Sequence, residues 1–332
     1  MYEHKLLDRS AVEFLRQRAP APIHHTPNDL LQWLDTPLHL RIPWASGVRP
    51  RLDPPSPFGR GQRIHFRYAS PLESGYESND VVHGDAFTGA DGLKGRFAMI
   101  TLHGATMDDK DSQHYLARRL ISQGLDLFAL ELPYHMNRRP RPGVGSGDYF
   151  LSPDVLRTVR AVEQGVADVC ALAEGLREKG YEKIFLLGIS LGGLVAVHSM
   201  LRVRFSGVAL LTPLVDPVYS VWEQLAGEGE RRAAREAGFE EEMILMALEQ
   251  IRPQTDATLQ VPSDNLRCYL GEFDDICPAT RTEALLSSWG ALPTTVFPSG
   301  HMGLGEFYPE IREDLTEVFC REMQSSRGPV ST

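Results

Sequence analysis

Hydrophobic and polar positions follow two rhythms along the chain, and the rhythm switches repeatedly. Between residues 63 and 87 the period is two. Arg63–Ala69 and Asp80–Phe87 alternate like the strands of an antiparallel hairpin, joined across a turn at Glu77–Asn79. Farther on, short apolar runs with the length of buried strands recur at Phe97–Leu102, Leu125–Leu132, Ile184–Leu187, Val208–Leu211, Leu266–Leu270 and Thr294–Phe297. Helical spacing fills the intervals. It covers Tyr115–Gln123 and then a long stripe opened by Asp154, bearing Val155, Val159, Val162, Val166, Val169, Ala173 and Leu176 and closed by Gly180. A last helix covers Tyr308–Met323. Strands alternating with helices predict an α/β fold, with a mostly parallel eight-stranded sheet, helices on both faces and the hairpin as an antiparallel edge.

Two stretches leave this rhythm. Residues 1–62 read as an N-terminal helical extension and Pro-rich linker. Ser10–Glu13 is a capping-box pattern that predicts a short helix, and Thr26-Pro27-Asn28-Asp29 predicts a second, ahead of Leu30, Leu31 and Trp33. Nine of the chain's 23 prolines lie here, and their cluster at 50–57 predicts a linker. So few helices cannot build a separate core, so the extension is expected to pack on the main body. The second stretch, 216–262, falls between the sixth and seventh strands. Val221–Leu225, Glu228–Glu236 and Glu240–Ile251 have helical character, and Met243, Ile244, Met246, Ala247 and Leu248 form one expected apolar face. This predicts a helical cap insertion that either shapes a substrate pocket or covers core. The body is then 63–215 together with 263–326.

Composition narrows the function. The 332 residues, 42% hydrophobic and 23% charged, are ordinary for a globular chain. A net charge of −10 argues against nucleic acid as a partner. The sign is uneven, with ten Lys/Arg against six Asp/Glu in residues 1–70. Four scattered cysteines without a C-x-x-C pair fit a reduced, cytoplasmic chain, and MYEHKLLDRS lacks the apolar core of a signal peptide. Ile184–Leu201 carries no Asp, Glu, Lys or Arg and approaches the length of a membrane span. Glycines and serines divide it into a strand and a helix, so no integral membrane segment is expected. No His/Cys/Asp cluster has metal-ligand spacing. Gly143–Gly147 lacks the framing and the lysine of a nucleotide loop. Neither a metal nor a cofactor is expected.

The chemistry concentrates in Lys183–His198, KIFLLGISLGGLVAVH. Gly188-Ile189-Ser190-Leu191-Gly192 is a G-x-S-x-G pentapeptide set where a strand turns into a helix. Such a turn strains the serine backbone and lifts its hydroxyl out of the sheet. A Gly/Ser-rich connection without chemistry could carry the same five residues, but the strand–turn–helix framing favours a nucleophile. A serine hydroxyl needs a base and an orienting carboxylate. Among 11 histidines, His301 follows the last strand in a glycine-flanked loop, at the sheet edge where α/β sites form. Asp274 follows Gly271 at the exit of the preceding strand, with Asp275 as the adjacent alternative acid. Arg138, Arg139 and Arg141 leave the fourth strand near this edge. They either bind an anionic substrate or belong to a solvated loop fixed by prolines.

These pieces resemble the α/β-hydrolase superfamily over roughly Arg63–Met323. The match comprises His103-Gly104 after the third strand, the elbow at 188–192, G-x-x-D-x-x-x-P at 271–278 and Gly300-His301. The resemblance implies an α/β-hydrolase fold with Ser190 as nucleophile, His301 as general base and Asp274 as acid. It also implies an oxyanion hole from the backbone N–H groups of Leu191 and Ala105. Leu191 opens a helix, whose dipole favours a developing anion. The Ala105-Thr106-Met107 sequence departs from the glycine-rich HGGG loop of many lipases. His103 is expected to be structural. The implied activity is that of a serine hydrolase working through an acyl-enzyme on a small-molecule acyl substrate, by default a carboxylic ester. Thioester cleavage or acyl transfer by the same triad, and a catalytically silent scaffold, are the alternatives.

Overall fold

The computed structural model describes residues 2–36, 41–42, 46–290 and 292–325. Its strands are β1 (Arg51–Leu52), β2 (Ser56–Phe58), β3 (Gly61–Ala69), β4 (Val81–Thr88), β5 (Phe97–Leu102), β6 (Leu125–Leu130), β7 (Lys183–Ile189), β8 (Gly207–Leu211), β9 (Leu266–Gly271) and β10 (Thr294–Phe297). Six of them run parallel in the order β6-β5-β7-β8-β9-β10. β4 joins β6 antiparallel, and β3 joins β4. The eight expected strands are all present. Two short ones, β1 and β2, add themselves to the outer side of β3, so the sheet has ten strands rather than eight. They come from the Pro-rich stretch expected to be a linker. Proline has no N–H to offer a ladder, which suits it to an outermost strand such as β2 with Pro57.

The helices are α1 (Tyr2–Arg16), α2 (Pro27–Leu34), α3 (Asp111–Ser122), α4 (Val155–Glu178), α5 (Leu191–Met200), α6 (Glu228–Glu236), α7 (Glu241–Gln250), α8 (Ala279–Ser288) and α9 (Tyr308–Ser325). Alternation along the parallel strands divides the core between the two faces of the sheet. Ile100, Phe128, Leu186, Val208 and Leu210 join one cluster with α4 and α5. Met99, Leu127, Phe185, Leu187 and Ala209 join another with Leu116 and Leu120 of α3 and Ile311, Leu315 and Phe319 of α9. Burial on both sides explains why these strands read as continuous apolar runs.

Helix α4 departs from the single apolar stripe expected of it. It is buried nearly all round, Arg157, Glu163 and Asp168 included. The segment carrying α2 crosses its outer side, where Trp33 Nε1 donates to Glu163 Oε2 at 3.1 Å. The N-terminus also differs in part. The Ser10–Glu13 box lies inside α1, which begins at Tyr2 because no breaker interrupts the residues before it. The Thr26 N-cap and Pro27 in the first turn are as expected, and Asp29 closes a capping box with Thr26 as well. Between β8 and β9 the chain makes a π-helical turn over Val218–Leu225, then α6 and α7. Of the expected apolar face of α7, Ile244, Ala247 and Leu248 are buried, whereas Met246 is 57% exposed. Among the described residues no helix is long and apolar enough to cross a membrane.

Candidate active site

Three strand ends converge on one point. β7 stops at Ile189, and Ser190 takes φ 52° before α5 starts at Leu191. That left-handed backbone is costly for a side chain with a Cβ, and packing holds it. A Cβ on Gly188 would lie 2.5 Å from the Gly192 carbonyl oxygen, one on Gly192 2.5 Å from the His103 oxygen, and one on Gly193 2.6 Å from Pro213 Cβ. The glycines therefore let the strand, the helix and two neighbouring loops close around the serine. Four more non-glycine residues among those described have positive φ: Thr106, Tyr134, Met136 and Thr212. They follow β5, β6 and β8, so strain collects at the carboxyl ends of the strands, where sites form in such sheets.

The β9 exit brings in Asp274, buried and fixed by its own loop. Its Oδ1 accepts from the N–H groups of Ile276 at 2.9 Å and Cys277 at 2.6 Å. Its Oδ2 accepts from His301 Nδ1 at 2.8 Å. The β10 exit carries His301, and backbone bonds from Glu272 to Phe297 and from Phe273 to Ser299, both 2.8 Å, lace the two loops together. In the neutral ring, with Nδ1–H donating to Asp274, the other ring nitrogen is an acceptor. Ser190 Oγ lies 2.9 Å from His301 Nε2. Ser190, His301 and Asp274 thus form one hydrogen-bonded chain. Asp275 is turned away. Its carboxylate is half exposed and faces Lys5 Nζ at 3.5 Å, while its carbonyl accepts from the Tyr219 hydroxyl at 3.2 Å.

Charge follows the geometry. Burial works against a charged His301, but the adjacent Asp274 carboxylate outweighs it and holds the imidazole pKa well above its ordinary value. Cys277 also neighbours the ring, and burial raises its thiol pKa and keeps it neutral.

The His103 loop reaches the serine from the other side. The Gly104 position comes close enough that a Cβ there would sit 3.5 Å from Ser190 Cβ. Among the described residues nothing accepts from the N–H groups of Leu191 or Ala105, while Gly192 N–H is taken by the His103 carbonyl at 3.1 Å. His103 is fully buried. Its Nδ1–H donates to the Gly104 carbonyl at 2.8 Å, and its Nε2 accepts from Leu132 N–H at 3.0 Å. Burial lowers its pKa to about 4, so it is a neutral strut, as expected. Beyond the loop, Lys110 Nζ bridges Asp85 at 3.0 Å and Glu131 at 2.7 Å and pins the segment to β4 and the end of β6.

Arg138 is neither solvated nor available to a substrate. It is fully buried, with Nη1 2.8 Å from Asp168 Oδ2 and Nη2 2.7 Å from the Asn79 carbonyl. Arg139 and Arg141 stay exposed. One contact was not foreseen. Asp8 in α1 accepts from the backbone N–H of His301 at 2.8 Å and of Met302 at 2.9 Å. The only sequence signal is its place on one helical stripe with Val12 and Leu15, at spacings of four and three. Among the described residues no three His, Cys, Asp or Glu side chains are grouped to hold a metal ion.

The sequence profile described as "Alpha/beta hydrolase family" matches residues 99–313, more than half of the chain. The chain belongs to the alpha/beta hydrolase family. That span runs from within β5 into α9 and includes all three strand exits. Solved structures carry the same alpha/beta hydrolase fold. An acetyl xylan esterase from Paenibacillus sp. R4 is 17% identical, with a TM-score of 0.59 over 91% of this chain and 98% of the other. Acetyl xylan esterase 1 from Thermoanaerobacterium sp. JW/SL YS485 is 16% identical, with a TM-score of 0.55 over 91% and 98%. An esterase from Pyrococcus furiosus is 15% identical, with a TM-score of 0.52 over 92% and 99%. At these identities the likeness is one of fold. No curated protein matches the chain in sequence.

Proposed function

We propose that the protein is a serine hydrolase that cleaves an acyl bond, a carboxylic ester in the first instance, through an acyl-enzyme. The observation that carries this reading is the unbroken chain from Ser190 Oγ to His301 Nε2, 2.9 Å, and from His301 Nδ1 to Asp274 Oδ2, 2.8 Å. Ser190 Oγ attacks the substrate carbonyl carbon while its proton passes to His301 Nε2. Asp274 holds the ring in the tautomer with a proton on Nδ1 and stabilises the imidazolium that forms. The oxyanion is received by the unengaged N–H groups of Leu191, at the start of α5, and Ala105. As the tetrahedral intermediate collapses, His301 gives its proton to the departing alkoxide and an alcohol leaves. Water, deprotonated by the same nitrogen, then attacks the acyl-enzyme, and the acid departs with Ser190 restored. The esterases among the structural neighbours accord with an ester as the bond cleaved.

The 216–262 insertion borders the site in this reading. Its first turn is fastened to the acid loop, since Ser220 Oγ donates to the Ile276 carbonyl at 2.7 Å beside the Tyr219 bond to Asp275. A fluorophosphonate probe tests the proposal. It should label the wild-type chain stoichiometrically and leave Ser190→Ala untouched. A folded wild-type chain that never labels would falsify it.

A further inference from the structure

We propose that Asp8 is a positioning residue of the active site, a carboxylate delivered by the N-terminal helix that fixes the His301 loop from behind. The inference rests on the triad reading above and extends the site to a segment outside the body of 63–215 and 263–326. His301 precedes a 3₁₀ helix over Met302–Phe307, and the first N–H groups of such a turn have no partners within it. Asp8 supplies them from outside. One oxygen takes the His301 N–H at 2.8 Å and the other the Met302 N–H at 2.9 Å, both charge-assisted bonds. Asp8 is 1% exposed. The glycine before the histidine is the space it needs, because a Cβ on Gly300 would lie 2.6 Å from Asp8 Oδ2.

Helix α1 is in turn anchored, so the carboxylate cannot drift. Val12 and Leu15 pack on the core. Arg16 Nε donates to the Gln224 carbonyl at 2.7 Å, and Arg16 Nη2 to that of Glu223 at 3.2 Å. Gly227 admits the Arg16 backbone, whose carbonyl oxygen would be 2.5 Å from a Cβ there. The Lys5–Asp275 pair is exposed and adds little. α1 therefore braces the histidine loop at one end and grips the 216–262 insertion at the other. His301 is held on two sides, with Asp274 on its ring and Asp8 on its backbone. The ionisable groups facing His301 are Asp274 and Cys277 from the β9 exit, Asp8 from α1, and Tyr308 at the start of α9.

The test uses the full chain and the rate constant of fluorophosphonate labelling, measured against pH, in wild type, Asp8→Ala and Asp8→Asn. A displaced histidine slows the chemistry of every competent site. Asp8→Ala is therefore expected to label about 10²-fold more slowly than wild type. Its acid limb should move to lower pH, because a carboxylate favouring the imidazolium has gone. Asp8→Asn, which keeps the shape and one acceptor, should fall between them in rate. A purely architectural role would lower the fraction of protein that labels and leave the rate constant and limb alone. That result, in Asp8→Ala or, where it does not fold, in Asp8→Asn, overturns the proposal. If wild type itself never labels, the triad reading fails and takes this inference with it. Normal wild-type labelling beside an unaffected Asp8 variant removes this inference alone.

Discussion

At the scale of single residues, two adjacent aspartates have different surroundings and should have different consequences. Asp274 is buried against His301, and Asp275 is half exposed beside Lys5. Asp274→Asn is expected to lower kcat about 10⁴-fold, as loss of the orienting acid does elsewhere, whereas Asp275→Asn should change it only a few-fold. Steady-state turnover of an activated ester measures both. The pH profile adds a sign. A protonated His301 cannot accept the Ser190 proton, so kcat/KM is fully developed only above the His301 pKa and falls as pH drops through it. Asp274 holds that pKa well above the ordinary imidazole value of 6.5, so the acid limb of the wild type should lie above 6.5. In Asp274→Asn the limb should move down, with the residual rate then persisting to lower pH. A limb at the same pH in both proteins would contradict the assignment of Asp274.

At the scale of elements, helix α4 shows what a cap does when it also binds a second segment. Asp154 caps α4 by accepting from Arg157 N–H at 3.2 Å, and it also accepts from His24 N–H at 3.0 Å and His25 Nδ1 at 2.9 Å. Burial alone would raise its pKa, but the His25 bond, Arg157 and the His24 N–H lower it to about 2. A depressed carboxylate contributes stability that is present above its unfolded pKa near 3.8 and is lost as pH falls toward 2. The contribution is on the order of 2 kcal/mol. Urea unfolding between pH 2 and 5 should show that slope in the wild type and a flatter one in Asp154→Asn. The same element marks the limit of what periodicity reveals. Its valine stripe was legible, because one face of the helix meets the sheet at every turn. The burial of Glu163 was not, because Trp33 reaches it from 130 residues away. The elbow at 188–192 was legible for the converse reason. Gly188 answers contacts made within the turn, from Gly192 and Ala196, and the G-x-S-x-G spacing carries the signal even though Gly192 and Gly193 answer the His103 and Pro213 loops. Asp8 left only a polar residue on an apolar stripe, since its partners are 293 and 294 residues distant.

At the scale of the molecule, the sheet is covered on both faces, and its thiols record how completely. Cys170, Cys268 and Cys277 are buried and Cys320 is partly so, and all four are free. Burial raises all four thiol pKa values, with Cys170 pushed up to about 12. An aromatic disulfide reagent should therefore titrate a single thiol slowly in the native protein and all four once guanidinium unfolds it. Rapid modification of more than one thiol in the native state would mean that the core opens more readily than its packing implies. The long separation between Asp8 and His301 also sets an order of events during synthesis. Ser190 and Asp274 leave the ribosome before His301, and Asp8, whose carboxylate meets the His301 backbone, is made 293 residues ahead of it. Until β10 and its loop emerge, Asp8 has a charge to bury and no donor to meet it, and α1 is held only by Val12 and Leu15 on the core and by Arg16 on the 216–262 insertion. The proposed activity should then appear late, when α1 and the His301 loop find each other. A chain stopped before His301 would carry Ser190 without its proposed base.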